Sequence, residues 1–342
     1  MNSAIITDSI QSHQTRSKFI LRIIGQVIVA TVLLYLASRY LIYWQDWPDL
    51  TQSVQNLMRA NEEQENPSLV KSIVLLLAYI VTFVLIIIHV AKTPSVTLTN
   101  DSDQYRKMTF YIVRAAFWAV FLVGIADTVI SLLRVENLLE PLVGTNLNDA
   151  LGLATKRGTY VHYPLIALSF VIAWFTKSLG FTWLAFLVVL AEFTIVLTRF
   201  IFSYEQAYMG DLVRFWYAAL FLFASAYTLY DNGHVRVDVL YARLKPRKKA
   251  WINAIGTMSL GLPLCWTILH YGMGSKQSSL ISPIISFEVS QSGYGLYIKY
   301  LMASFMIVFA VTMAIQFVSL FLSSCAYLSG EKDAQLPAGE SM

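Results

Sequence analysis

The sequence predicts an all-α membrane protein with about eight transmembrane helices and both termini on the cytoplasmic side. Composition gives the class: of 342 residues, 56% are hydrophobic and only 13% charged, where a soluble domain is about one quarter charged. Eight apolar runs, at 19–43, 69–91, 108–133, 160–176, 180–203, 212–230, 250–274 and 297–327, give the span count, because roughly 20 residues cross about 30 Å of hydrocarbon. Orientation comes from the segment 231–249, DNGHVRVDVLYARLKPRKK. It sets Arg236, Arg243, Lys245, Arg247, Lys248 and Lys249 against Asp231 and Asp238. A short basic loop between two spans stays on the cytoplasmic side.

Walking the chain with that loop inside puts each remaining segment on a definite side. Arg16, Lys18 and Arg22 then flank the first span on the inside. That run starts near Phe19, is too long for a signal-peptide core and has no small-residue cleavage site behind it, so it is expected to be a retained span. The outer segment 44–68 carries Asp46, Asp49, Glu62, Glu63 and Glu65 with Arg59 as its cation, and Trp44 and Trp47 sit where an interfacial aromatic belt belongs. Lys92, Arg106 and Lys107 fall in the inner loop ahead of the third run. The fourth run has His162 and Pro164 near its start, and Thr176 to Gly180 is all that separates it from the fifth. It reads as a short span or an interfacial helix. Parity requires it to cross, since otherwise the N-terminal charges fall on the wrong side. The last run includes an uncharged stretch from Tyr300 to Gly330, and the polar tail from Glu331 to Met342, with Pro337 and Gly339, is expected to be disordered.

Several functional classes drop out. The net charge of +4 is spread over loops, whereas nucleic-acid binding needs a basic face on a soluble domain. Cys265 and Cys325 lie in apolar runs and form no C-x-x-C pair or disulfide framework. His89, His162 and His270 share no metal-ligand spacing. His234 and Asp238 have no accompanying nucleophile, so an enzyme is not expected.

Residues from about 178 to 328 resemble the small membrane subunit of tripartite ATP-independent periplasmic (TRAP) transporters, the DctQ-like family. The resemblance runs through Thr198-Arg199-Phe200-Ile201-Phe202, an acidic residue opening the next helix, and Ala226-Tyr227-Thr228-Leu229. It continues through Gly233-His234-Val235-Arg236-Val237-Asp238-Val239, Arg243-Leu244-Lys245-Pro246-Arg247, Glu288-Val289-Ser290, Gly293 and Lys299. Tyr208 and Asp211 stand where relatives carry Trp and Glu. The resemblance implies a C-terminal four-helix DctQ-like unit at 178–328, an N-terminal four-span extension at 1–177 and a cytoplasmic tail at 329–342. It also implies a place in the bacterial inner membrane. The family's small subunit buttresses a large TRAP membrane subunit, which holds the sodium and substrate sites, and helps dock a periplasmic substrate-binding protein. No cofactor is expected in this chain, and membrane lipid and those two proteins are the expected partners. A self-sufficient secondary transporter and a membrane scaffold without transport are the alternatives; no pair of Gly- or Pro-broken helices with polar centres supports the first.

The candidate contact residues follow. His234, Arg236 and Asp238 alternate, so on an extended stretch they share one side; they form either a cap tying two spans together or a contact with the partner subunit. Gly233, Arg243 and Arg247 belong to the same loop. Glu192 lies mid-span and Arg199 two turns on, where charge is costly and usually buried in protein. The expectation is that Glu192 is paired within this chain, as Asp127 and Arg114 would be; the alternative is a polar contact on the large subunit or an ion path. Arg199 can snorkel to the outer interface. Asp211 is expected to open the sixth helix, stabilising its positive end and pairing with Arg214. Glu288 and Lys299 mark the outer stretch and the entry to the last span.

The first half has an echo of the second. Ser38-Arg39-Tyr40, Leu69-Val70-Lys71, Arg106-Lys107 and Tyr160-Val161-His162-Tyr163 parallel Thr198-Arg199-Phe200, Leu212-Val213-Arg214, Arg247-Lys248-Lys249 and Tyr297-Ile298-Lys299-Tyr300, in order. An ancient duplication and an added four-helix extension both stay open. The topology is tested by labelling single cysteines from outside intact cells. Positions within 48–66 and 278–292 should react and those within 95–104 and 240–248 should not; external labelling at 240–248 would overturn the orientation.

Overall fold

The computed structural model describes residues 2–58, 68–177, 180–231, 241, 243–290, 295–331 and 334, with side chains described from Arg16 onward. The Gly233–Asp238 motif therefore lies outside the described residues. The elements, in order, are α1 (Asn2–Trp44), α2 (Leu50–Met58), α3 (Leu69–Lys92), α4 (Leu98–Val135), α5 (Leu139–Val143), α6 (Thr145–Leu151) and α7 (Ala154–Arg157). They continue with α8 (Tyr163–Phe175), α9 (Phe181–Phe202), α10 (Ala207–Tyr230), α11 (Pro246–Gly256), α12 (Leu262–Gly272), α13 (Ile281–Ser286) and α14 (Lys299–Leu328). Among the described residues there is no strand. Among the described residues eight helices are long and apolar enough to cross a membrane, one for each run read from the sequence, and the fourth of them extends from Ala154 to Phe175. This is an all-α membrane protein.

Two prolines shape two of these spans in the same way. Pro164 and Pro263 lack the N–H that would bond to the carbonyl four residues back, and the ring would collide with that carbonyl. In each case the five residues ending two positions before the proline, Gly158–His162 and Thr257–Gly261, open into wider π turns. The N–H of Tyr163 then donates to the Gly158 carbonyl and that of Leu262 to the Thr257 carbonyl. Such turns insert a residue without ending the helix, which is how α7 runs into α8 and α11 into α12.

The chain forms two compact units. The first takes in the described residues of Met1–Arg106, Arg236–Leu262 and Phe317–Met342. Its corners are tied by charge. Arg22 on α1, 3% exposed, donates from Nε to Asp101 of α4 at 2.7 Å and from its Nη atoms to the carbonyl and hydroxyl of Thr93. Ser102 and Ser319 exchange hydrogen bonds, each hydroxyl donating to the other's carbonyl at 2.7 and 2.8 Å. Small residues permit that close approach of helices in a membrane. Gly25 faces Leu322 and Gly261 faces the ring of Phe317. By contrast α3 buries only Ser72, Leu75 and Val90, so most of its surface is an apolar face fit for lipid.

The start of α4 is capped from far along the chain. Both carboxylate oxygens of Glu331 accept backbone N–H bonds, from Leu98 and Thr99 at 3.1 Å each, and one also accepts the Thr99 hydroxyl at 2.9 Å. Lys18 completes the group at 3.2 Å. The residue expected to open a disordered tail is thus fixed as a helix cap, satisfying N–H groups that have no partner within the helix. Burial pushes the pKa of Glu331 up, but these four donors outweigh it and hold the carboxyl below its usual range.

The second unit takes in Lys107–Val235 and Pro263–Gln316, again for the described residues. Its core is aromatic. Phe117 of α4 meets Phe223 of α10 at 5.8 Å between ring centres, Phe223 meets Phe305 of α14 at 4.9 Å, and Phe215 meets Phe305 at 5.1 Å. Trp216 donates to the Val120 carbonyl at 3.2 Å across Gly124, where an added Cβ would lie 2.5 Å from the indole nitrogen. Glycine is required there by the close approach of α10 to α4.

The Glu331 cap gives a testable result. Its folded-state value is depressed, so its contribution is present above the unfolded value of about 4.3 and is lost as pH falls through the lower folded value. Glu331→Gln should lower stability in detergent by about 0.5–2 kcal/mol at neutral pH, the range for losing a helix cap, and should flatten the pH dependence of thermal unfolding below about pH 4. An unchanged unfolding profile would show that the cap contributes nothing.

Candidate functional site

Two features stand out among the described charged residues of the second unit, a closed network and an open helix. The network centres on Asp127, fully buried in α4. One carboxylate oxygen, Oδ1, accepts from Arg157 Nη1 at 2.9 Å and pairs with His162 Nε2 at 3.1 Å; the other, Oδ2, accepts the Tyr297 backbone N–H at 2.7 Å. Arg157, 1% exposed, also donates to Ser131 Oγ and the Leu151 carbonyl, and its guanidinium lies 4.0 Å from the centre of the Tyr297 ring. His162 Nδ1 meets Tyr300 Oη at 2.8 Å.

Asp127 as a carboxylate only accepts, so His162 donates to it from Nε2, and its Nδ1 shares a hydrogen bond with the Tyr300 hydroxyl. The local fold makes it possible. The wide turn Gly158–His162 follows Arg157 directly, and at Gly158 an added Cβ would lie 2.4 Å from the Phe287 ring and 2.9 Å from Tyr300 Oη. The sequence signal for this network was an Asp in an apolar run, with Arg and His at the entry to the next. Arg157 lies just ahead of the apolar run at 160–176, so span reading alone does not single it out.

The residues named from the sequence are distributed as follows. Gly233, His234, Arg236 and Asp238 lie outside the described residues. Arg243 and Arg247, from the same basic segment, are both exposed. Asp211 does pair with Arg214, Oδ1 to Nη1 at 3.2 Å, but it does not open its helix. α10 starts at Ala207, with Gln206 before it and no side-chain cap, because the chain turns into helix four residues ahead of the acidic residue. Asp211 instead sits one turn in and accepts the Leu296 backbone N–H through Oδ2 at 3.1 Å. Consecutive amides, Leu296 and Tyr297, are therefore held by two carboxylates from two helices, just before α14 begins. Glu288 and Lys299 form an ion pair, and the Glu288 carbonyl accepts from Tyr300 N–H at 3.0 Å. Arg199 pairs with Glu205 at 3.3 Å, both more than half exposed.

Glu192 departs from expectation. Asp127 and Arg114 are handled inside the chain, Arg114 donating from Nε to the Ala173 carbonyl at 3.0 Å. Glu192 is exposed at the middle of α9 and meets no partner among the described residues. The helix that carries it buries only Leu184, so among the described residues no neighbour stands over the carboxylate.

The four helical spans α9, α10, α11–α12 and α14 occupy the region that matters for kinship. Residues 186–325 match the family of tripartite ATP-independent periplasmic transporters, DctQ component. This part of the chain is similar to the TRAP small subunit, and the apolar helices before it are additional to it. No curated protein and no solved structure gives a match. Within the DctQ region lie Asp211, Tyr297 and Tyr300; Asp127, Arg157 and His162 come from the added helices. The polar network thus joins the two.

Breaking one side of a buried ion pair costs about 3–5 kcal/mol, while replacing both sides by apolar groups is often neutral. Asp127→Leu and Arg157→Met should each lower the thermal midpoint in detergent markedly, and the double variant should recover most of the loss. Single variants as stable as the native protein would show that the network is not holding the helices together.

Proposed function

We propose that this protein is the small permease subunit of a TRAP transporter and buttresses a large membrane subunit through α9. The transport would be sodium-coupled, binding-protein-dependent uptake of an organic acid or a similar small solute across the bacterial inner membrane. Sodium and substrate would be held by the large subunit, and the periplasmic binding protein would dock against the outer segments. The Gly233–Asp238 loop, with Arg243 and Arg247, would serve as a cap between spans or as a cytoplasmic contact with the large subunit.

Glu192 is the observation that carries this reading. α3 and α9 are both long, apolar and little buried. α3 has no charge in its middle, with His89 and Lys92 in its last turn, and lipid suits it. α9 has a carboxylate halfway along with no partner from this chain among the described residues. An acidic group at mid-helix costs about 2.5–3.5 kcal/mol to place in lipid, and such groups face protein or a water-filled cavity. A donor or cation on another membrane protein answers that cost. The DctQ match over the same helix supports a large transporter subunit as the protein concerned.

Two measurements test the proposal together. Co-expressed with the large subunit, Glu192→Leu should reduce the complex recovered about tenfold, since a hydrogen bond to a charged group is worth about 1.5–3 kcal/mol. Glu192→Gln should reduce it less, and the isolated chain should fold normally in both. Proteoliposomes holding this chain alone should show no sodium-dependent uptake, with uptake appearing once the large subunit and binding protein are added. Undiminished recovery of Glu192→Leu complex would remove α9 as the contact, and uptake by the chain alone would establish a self-sufficient transporter.

A further inference from the structure

A second feature of the same unit is a cavity of about 370 Å³ between α4, the end of α8, the start of α9 and the end of α10. Two cations line it, Arg114 and Lys177, together with Thr182 and Tyr227, and no acidic residue is among the lining side chains. Arg114 spends Nε on the Ala173 carbonyl; its two terminal nitrogens and the Lys177 ammonium meet no acceptor among the described residues. The first residues of α9 complete the lining. Gly180 precedes the helix with no side-chain cap, and Phe181 and Thr182 lie in its first turn, where backbone N–H groups lack acceptors. Cations, a hydroxyl and free N–H groups thus converge on one space, which is the chemistry that holds a phosphate oxygen.

The surroundings select the source of that phosphate. Trp183 lines the cavity and is 55% exposed; Phe186, one turn on, is 56% exposed and packs edge-on against it. The polar cradle therefore opens directly onto an apolar stripe of α9. Free phosphate has no use for such a stripe, whereas a phospholipid presents its phosphate and its acyl chains in that order. The basic segment 231–249 begins where α10 ends, four residues after Tyr227, so by the charge rule the cavity belongs to the inner leaflet.

We infer that this cavity binds the phosphate of an anionic phospholipid, with Arg114, Lys177 and the start of α9 holding the headgroup and Trp183 and Phe186 flanking an acyl chain. Each cation near an anionic headgroup contributes enough that losing it weakens binding about fivefold.

The test uses purified full-length protein in detergent, with phosphatidylglycerol, phosphatidylcholine or inorganic phosphate as probe. Bound lipid is counted by native mass spectrometry and stabilisation is read from thermal unfolding. Phosphatidylglycerol should bind and stabilise more strongly than phosphatidylcholine. Lys177→Gln should weaken phosphatidylglycerol binding about fivefold, as should Arg114→Gln. Lys92→Gln, an exposed lysine outside the cavity, should leave it unchanged. Lys177 is exposed and makes no contact that folding needs, so this variant keeps the test valid if Arg114→Gln fails to fold. Equal affinity of the native protein and Lys177→Gln for phosphatidylglycerol overturns the site. Inorganic phosphate that binds as tightly as the lipid, with the same loss in Lys177→Gln, overturns the lipid as its source.

Discussion

The absence of water from the hydrocarbon core leaves every polar group there to be satisfied by protein, and Asp127 is where this constraint presses hardest. Its carboxylate has no exposure and sits in the last third of a long helix. Three donors answer it, from Arg157, His162 and the Tyr297 backbone. Each fixes a different piece of chain: the entry to the Ala154–Phe175 span, its wide turn, and the approach to α14. The turn itself is a consequence of Pro164, and the absence of a side chain at Gly158 lets Phe287 and Tyr300 close over the group. Remove the carboxylate and Arg157 becomes an unpaired buried charge, so the surrounding geometry has no independent reason to persist.

The first unit solves a milder version of the problem at helix ends. Arg22 pairs with Asp101 and Lys18 with Glu331, so two of the cations that mark the N-terminal flank of the first span are neutralised once the protein is folded. This does not weaken the charge argument for orientation. The bias toward retaining Lys and Arg acts while spans insert, before Asp101 and Glu331 are in place to pair with them. The same residues can therefore direct insertion first and close a corner afterwards, and folding would then discourage any later reversal, since it would separate formed pairs.

What could be read from the sequence was what is local. Span number depends on length and hydropathy, and all eight runs became helices of the expected kind. The Asp211–Arg214 pair depends only on helical spacing. The DctQ motif residues are contiguous and recognisable without a structure. The rest depends on partners distant in sequence: Asp211 meets an amide 85 residues on, Glu331 meets Leu98 at a separation of 233, and Asp127 meets His162 across 35. No periodicity reports such contacts. The polar neighbours of Glu331 read as a disordered tail, and its role as a cap depends on the start of a helix elsewhere in the chain. For Glu192 the reasoning from burial cost was sound, but the assumption that the partner lies in the same chain was not given by the residues.

Asp127, in the last third of α4, and Glu192, midway along α9, are both carboxylates within spans, and they are treated in opposite ways. The added helices supply Asp127, Arg157 and His162, while the DctQ region supplies Tyr297 and Tyr300. The extension is therefore keyed into the DctQ region at the entry to α14, where its carboxylate and that of Asp211 hold neighbouring amides. Its aromatic contacts, Phe117 on Phe223 and Trp216 over Gly124, likewise fall on α10. What the extension leaves uncovered is α9, the one DctQ helix with a charge at its centre and almost no buried surface. The added helix α4 lies instead against α10. An arrangement that closes Asp127 within the chain and leaves Glu192 open is what a subunit needs if Glu192 is to be completed by another protein.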